Sequence, residues 1–100
     1  MYRSRISIYV NDTSVNRQFS YMKYVELPFV PTEGIALQLK GMDEELNICG
    51  STYREQSKTD PYFDVNLQGF DERGCRNWWN ATPEQIAMLK KNGFVLEQEF

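Results

Sequence analysis

Apolar and polar residues alternate along much of the chain. Ile6, Ile8 and Val10 share one parity, and Arg5, Ser7 and Tyr9 take the other. Val25, Leu27 and Phe29 repeat the pattern, as do Ile35, Leu37 and Leu39, and then Phe63, Val65 and Leu67. Successive side chains of a strand point to opposite faces, so each run predicts a strand with one apolar face. Residues 46–53 predict a further strand, in which Gly50 points to a bulge or a close backbone approach. Pro28 and Pro31 end the second run, and residues 31–34 form a turn before the third. The short polar connections favour antiparallel neighbours, because parallel pairs need a crossover of a dozen or more residues.

One helix is written into the sequence with both its ends. Thr82-Pro83-Glu84-Gln85 reads as N-cap followed by the first turn, with Gln85 placed to complete a capping box. Lys90 and Lys91 suit the C-terminal end of the helix dipole. Gly93 suits the left-handed position after the helix, with Phe94 able to pack back on Leu89. Ile86 and Leu89 are expected to face the sheet, and residues 94–100 to form a last short strand.

A helix of about ten residues is roughly 15 Å long and 10 Å wide, whereas five strands span around 24 Å. One helix cannot cover such a face. The expected fold is therefore α+β: a strongly curled antiparallel sheet of five to six strands, barrel-like or half-barrel, with one short C-terminal helix. Trp78 or Trp79 is expected to close one end; a roof made by residues 68–81 is another way to cover the apolar face, and a dimer is the second choice.

Composition narrows the function classes. The chain has 100 residues, 41% hydrophobic and 25% charged, which fits one globular domain and not a disordered chain. No run approaches the ~20 apolar residues that span a membrane, and Arg3 and Arg5 are not followed by a continuous apolar stretch like that of a secretory signal. A cytoplasmic protein is expected.

There is no His, which removes the commonest general base near neutral pH and the Ser–His and Cys–His pairs. The carboxylate clusters Asp43, Glu44 and Glu45, and Asp71 and Glu72, lie in polar, turn-like sequence, where carboxylates are solvated and untuned. Cys49 and Cys75 are 26 positions apart, with neither a second pair nor a His to complete a zinc site. The scattered glycines form no phosphate-binding loop. Neither an enzyme nor a cofactor is expected.

The net charge is −3, but residues 1–25 carry four bases against one acid, a balance of +3. Tyr2, Arg3, Arg5, Tyr9, Arg17, Phe19, Tyr21, Lys23 and Tyr24 interleave bases and aromatics there, as single-strand nucleic-acid binders do. The overall pI near 4.9 argues against that partner.

The most unusual stretch is residues 71–80, where two adjacent Trp follow Arg73 and Arg76. Trp and Arg are enriched at interaction hot spots, and adjacent residues of an extended chain face opposite ways. Arg73, Arg76, Trp78 and Trp79 are thus the candidate binding residues, with one Trp buried and the other at least partly exposed. The expected function is a small non-enzymatic interaction module, such as an inhibitor, immunity or adaptor protein of a bacterium or phage. Its partner would be another protein or a second copy of itself. A small ligand in an aromatic-lined pocket inside the sheet is the alternative, and nucleic acid the least favoured.

Overall fold

Among the described residues the predicted strand runs become seven strands, with a single helix packed on one face of their sheet. In the computed structural model the described residues are 1–41, 45–55, 60–67 and 78–100. The elements are β1 (Tyr2–Asp12), β2 (Arg17–Leu27), β3 (Ala36–Gln38), β4 (Glu45–Arg54), β5 (Tyr62–Leu67), β6 (Trp79–Ala81), α1 (Pro83–Lys91) and β7 (Val95–Glu99). They form one sheet in the order β3-β4-β5-β1-β2-β7, with β6 pairing β1.

β1 and β2 form a long hairpin. Asp12 holds its turn by accepting at Oδ1 from the Ser14 N–H at 3.0 Å and from the Ser14 hydroxyl at 2.7 Å. β2 begins at Arg17, so Phe19, Tyr21 and Lys23 extend the run of Val25 and Leu27 back toward the turn, while Phe29 lies beyond the strand. On its other side β1 pairs in parallel with both β5 and β6. Ser4 faces Phe63, 59 positions further on, and Val10 faces Trp79, 69 positions further on. β5 and β6 thus lie end to end along one edge of β1, with ten more residues between them than one continuous strand would hold.

The all-antiparallel expectation is corrected by these two pairings. Sequence neighbours do pair antiparallel in β1–β2, β3–β4 and β4–β5. The chain leaving β2, however, crosses to the far edge of the sheet before returning, which delivers β5 to β1 in parallel. β7 lies antiparallel to β2 and so runs in the same direction as β6. α1 is the crossover that a parallel pair of this kind requires.

The strongly curled, barrel-like sheet of five to six strands is also corrected: among the described residues the sheet is open and has seven strands. The helix does not have to cover the apolar face alone. Ile86 and Leu89 of α1 join a core of Ile6, Ile8, Val10, Tyr21, Leu37, Leu46, Ile48, Val65, Leu67, Trp79, Ala81 and Phe94. Phe29 and Leu39, from the chain between β2 and β4, pack against the same core, and Pro31 is buried. The helix and the crossing chain roof the face together, so curling gains little additional burial.

Both helix ends follow their local code. The Gln85 N–H donates to the Thr82 hydroxyl at 3.2 Å, and the Thr82 N–H donates to Gln85 Oε1 at 2.8 Å. The N–H of Gly93 donates to the Lys90 carbonyl and that of Phe94 to the Leu89 carbonyl, with Gly93 at a φ of 93°. Asn92 then ties the helix end to the crossing chain through Nδ2, which donates to the Lys40 carbonyl at 2.8 Å. A Cβ on Gly41 would lie 3.0 Å from both Asn92 Nδ2 and Met88 Sδ, so this approach favours glycine. As Gly50 suggests, β4 carries a register shift between Ile48 and Gly50.

Candidate interaction surface

The strand registers sort the side chains onto two faces. The helix side carries Ile6, Ile8 and Val10 of β1 with Phe19, Tyr21, Lys23 and Val25 of β2. The other face carries Arg3, Arg5, Ser7, Tyr9 and Asn11 of β1, with Tyr24 and Glu26 beside them on β2. Tyr62, Asp64 and Asn66 of β5 lie on that same face, as does Asn80 of β6. Among the described residues no helix packs there, since both buried residues of α1 belong to the core on the opposite side.

Three groups occupy this open face. At one end Trp78 meets Phe100 edge-on with ring centroids 5.0 Å apart, and Tyr9 lies 5.4 Å from Trp78 and 6.1 Å from Phe100. These separations suit edge-to-face aromatic attraction. At the other end Tyr24 meets Tyr62 edge-on at 6.0 Å, and the Arg3 guanidinium lies 5.3 Å over the Tyr24 ring.

Between them is a charge lattice. Arg5 contacts Glu97 at 3.0 Å and Asp64 at 3.8 Å, and Arg54 Nε donates to Asp64 Oδ2 at 2.9 Å. Ser7, only 2% exposed, donates its hydroxyl to Glu97 Oε2 at 3.3 Å. Burial opposes the charge on Arg5, yet the hydrogen bond and the negative charge of Glu97, helped by Asp64 and Tyr24, outweigh it and raise the Arg5 pKa.

Each arginine among the described residues has an acidic partner: Arg3 with Asp60, Arg5 with Asp64 and Glu97, Arg17 with Glu99, and Arg54 with Asp64. The register also divides the interleaved N-terminal residues. Arg3, Arg5, Tyr9 and Tyr24 share the open face, while Tyr2, Phe19, Tyr21 and Lys23 lie on the helix side and Arg17 sits beside the hairpin turn. Among the described residues no continuous basic track results.

The two tryptophans separate as adjacent strand residues do. Trp79, opposite Val10, is 3% exposed and part of the core. Trp78 is half-buried on the open face. Arg73 and Arg76 lie outside the described residues, as do Cys75, Asp43, Glu44, Asp71 and Glu72. Cys49 is half-buried at the β4 bulge, where its Sγ donates to the Asn66 carbonyl at 3.2 Å.

Sequence reasoning missed Phe100, Tyr62 and Glu97 as members of this face. Their alternation marks them as strand residues, but only the pairing of β7 and β5 shows which residues they approach. A depression of about 260 Å³ at the surface is lined by Arg3, Tyr24, Val25 and Glu26. It lies on the outer side of the sheet's long hairpin and is not an aromatic-lined pocket inside the sheet. No group of three His, Cys, Asp or Glu among the described residues could hold a metal ion. No helix among them is long and apolar enough to cross a membrane. Comparison with protein-family models, curated proteins and solved structures finds no significant match for this chain.

Proposed function

We propose that this protein is a small non-enzymatic interaction module of the inhibitor, immunity or adaptor kind, acting in the cytoplasm. Its binding surface is the open sheet face between Trp78 and Tyr24, and its partner is a protein. The observation that carries this reading is the composition of that face. Two aromatic groups, with Tyr24 and Phe100 each 51% exposed, flank arginines whose charges are already matched by carboxylates. Aromatic and Arg side chains supply most of the energy at protein interfaces. A nucleic-acid surface needs bases left for phosphate, and the pairing of each described arginine disfavours that partner.

The test is affinity capture with nuclease present, comparing wild type with Trp78→Ala and Tyr24→Ala after confirming that both variants are folded. The reading expects a nuclease-resistant protein partner that either substitution weakens. Capture that disappears with nuclease, or is unchanged in both variants, would remove it.

A further inference from the structure

β2 is longer than what covers it. On one side all eleven of its residues pair with β1, from Arg17 opposite Asp12 to Leu27 opposite Tyr2. On the other side β7 takes only Phe19 to Met22. Among the described residues, Lys23 to Leu27 therefore have a strand neighbour on one side only, in the slot where β7 would continue.

The Gln18 carbonyl accepts from the Phe100 N–H at 2.9 Å, so Gln18 points its backbone polar groups toward the β7 side. β2 keeps an unbroken register with β1, and alternation puts Tyr24 and Glu26 in the same orientation. Each of the two offers an N–H and a C=O to a further strand. The open length is about 17 Å, enough for a short extended peptide.

The charges around this edge are matched except at one residue. Arg5 is held by Glu97 and Asp64, and Arg3 turns to Asp60 at 3.5 Å and to the Tyr24 ring. Lys23 donates to the Asn92 carbonyl at 2.9 Å and lies over the Phe94 ring, drawn back toward the end of α1. Glu26 is exposed, and among the described residues its carboxylate has no ion pair. With Arg3, Tyr24 and Val25 it lines the surface depression that lies along this edge. The chain as a whole carries −3, which favours the approach of a cation to that carboxylate.

The two sides of the slot ask for different side chains. Tyr24 and Glu26 belong to the open face, whereas Val25 and Leu27 are half-buried on the helix side, with Val25 packed against the core. A strand seated here turns successive side chains to alternate faces. The residue opposite Glu26 thus shares the open face, and its neighbours in sequence meet Val25 and Leu27.

Other edges and a second copy suit the slot's chemistry less well. β4 is uncovered beyond Ile48 among the described residues, since β3 and Ile35 reach no further along it. Its register shift at Ile48 and Gly50 blunts that edge, and its open-face residues Thr52 and Arg54 offer no carboxylate, Arg54 being held by Asp64. β7 has a register shift opposite Ser20 and Tyr21, and its Glu97 and Glu99 are held by Arg5 and Arg17. β3 and β6 are each three residues long. Antiparallel pairing of the β2 edge with itself would set Tyr24 opposite Glu26. The two Glu26 carboxylates would then be diagonal neighbours, and no cation would be added.

We propose that the free edge of β2 from Lys23 to Leu27 is a strand-addition site for an extended partner segment that alternates basic and apolar residues. A Lys or Arg of that segment sits against Glu26, and its apolar side chains cover Val25 and Leu27. This rests on the interaction reading above and specifies the form of the partner.

The test titrates isotopically labelled protein with three terminally blocked decapeptides, in which Val alternates with Lys, Gln or Glu. The Lys peptide should shift the Tyr24 and Glu26 amide signals and slow their hydrogen exchange. It should bind at least about tenfold more tightly than the Glu peptide, with the Gln peptide between them. Glu26→Gln keeps the backbone groups and should bring the Lys and Gln peptides within about twofold of each other. Glu26→Pro also removes an outward N–H and should abolish binding of all three, with the β1 exchange pattern as the check on folding.

Shifts confined to β3, β4 or β7, none at millimolar Lys peptide, or equal affinity for the Lys and Glu peptides would overturn the proposal. So would protection of the same amides that rises with protein concentration alone, which would mean that a second copy fills the edge. An unchanged Lys preference in Glu26→Gln would overturn it even where Glu26→Pro fails to fold. A captured partner that binds Glu26→Pro as well as wild type would overturn this site and leave the interaction reading standing. Capture of no protein partner would remove the reading itself, and this site with it.

Discussion

Two adjacent tryptophans have opposite assignments. Trp79 is enclosed by the core opposite Val10, so Trp79→Ala should destabilise the fold by about 3–5 kcal/mol, read as a lowered denaturant midpoint. Trp78→Ala should leave that midpoint much closer to wild type, because Trp78 is half-buried on the open face. That the pair would divide is legible in the sequence, since neighbours on a strand face opposite ways. Which one enters the core is not, because it depends on how many residues separate Leu67 from the return of the chain to β1. Tyr21 has a further signature. Burial, and secondarily the charge of Asp12, raise its pKa above the ordinary value. The folded state then holds this proton more tightly than the unfolded chain, so the associated stability is present below pH ~10 and is lost as pH rises beyond it. Thermal unfolding followed from pH 8 to 11 should show a smaller alkaline loss in Tyr21→Phe than in wild type.

Among the elements, α1 is the one most fully determined by its own residues. Its cap, capping box and left-handed terminal glycine lie within thirteen consecutive positions, 82–94, and need no distant partner to be recognised. Thr82→Ala and Gly93→Ala should each cost about 1 kcal/mol in chemical denaturation, adding nearly independently because they act at opposite ends. The strands are different. Alternation identifies β1, β3 and β5, yet the first half of β2 is obscured because Lys23 interrupts its apolar run. Parallel pairing is invisible locally, since it joins residues some sixty positions apart. β7 has no buried residue, and it is held by its ladder with β2 and by the pairs Arg5–Glu97 and Arg17–Glu99. Salt screens such pairs, so amide exchange in residues 95–99 should quicken between about 0.1 and 1 M salt while β1 stays protected.

For the whole molecule, the sheet stays open because its two faces ask for different things. The apolar face is roofed by α1 and by the chain around Phe29, Pro31 and Leu39, and the polar face carries ion pairs and exposed rings. The ten extra residues between β5 and β6 have a consequence for the architecture. Removing residues 68–77 would join Leu67, opposite Ile8, directly to Trp78, the residue before Trp79 opposite Val10. The shortened chain would meet β1 without a slip, with Leu67 and Trp79 still facing the core and Trp78 still facing outward. Such a deletion should retain cooperative unfolding and the β1 exchange pattern, whereas removing nine residues would bring Trp78 opposite Val10 and turn Trp79 out of the core. The sheet can thus be treated as a mounting with an in-register socket. A foreign peptide grafted between Leu67 and Trp78 would be displayed from a strand whose alignment does not depend on what is inserted.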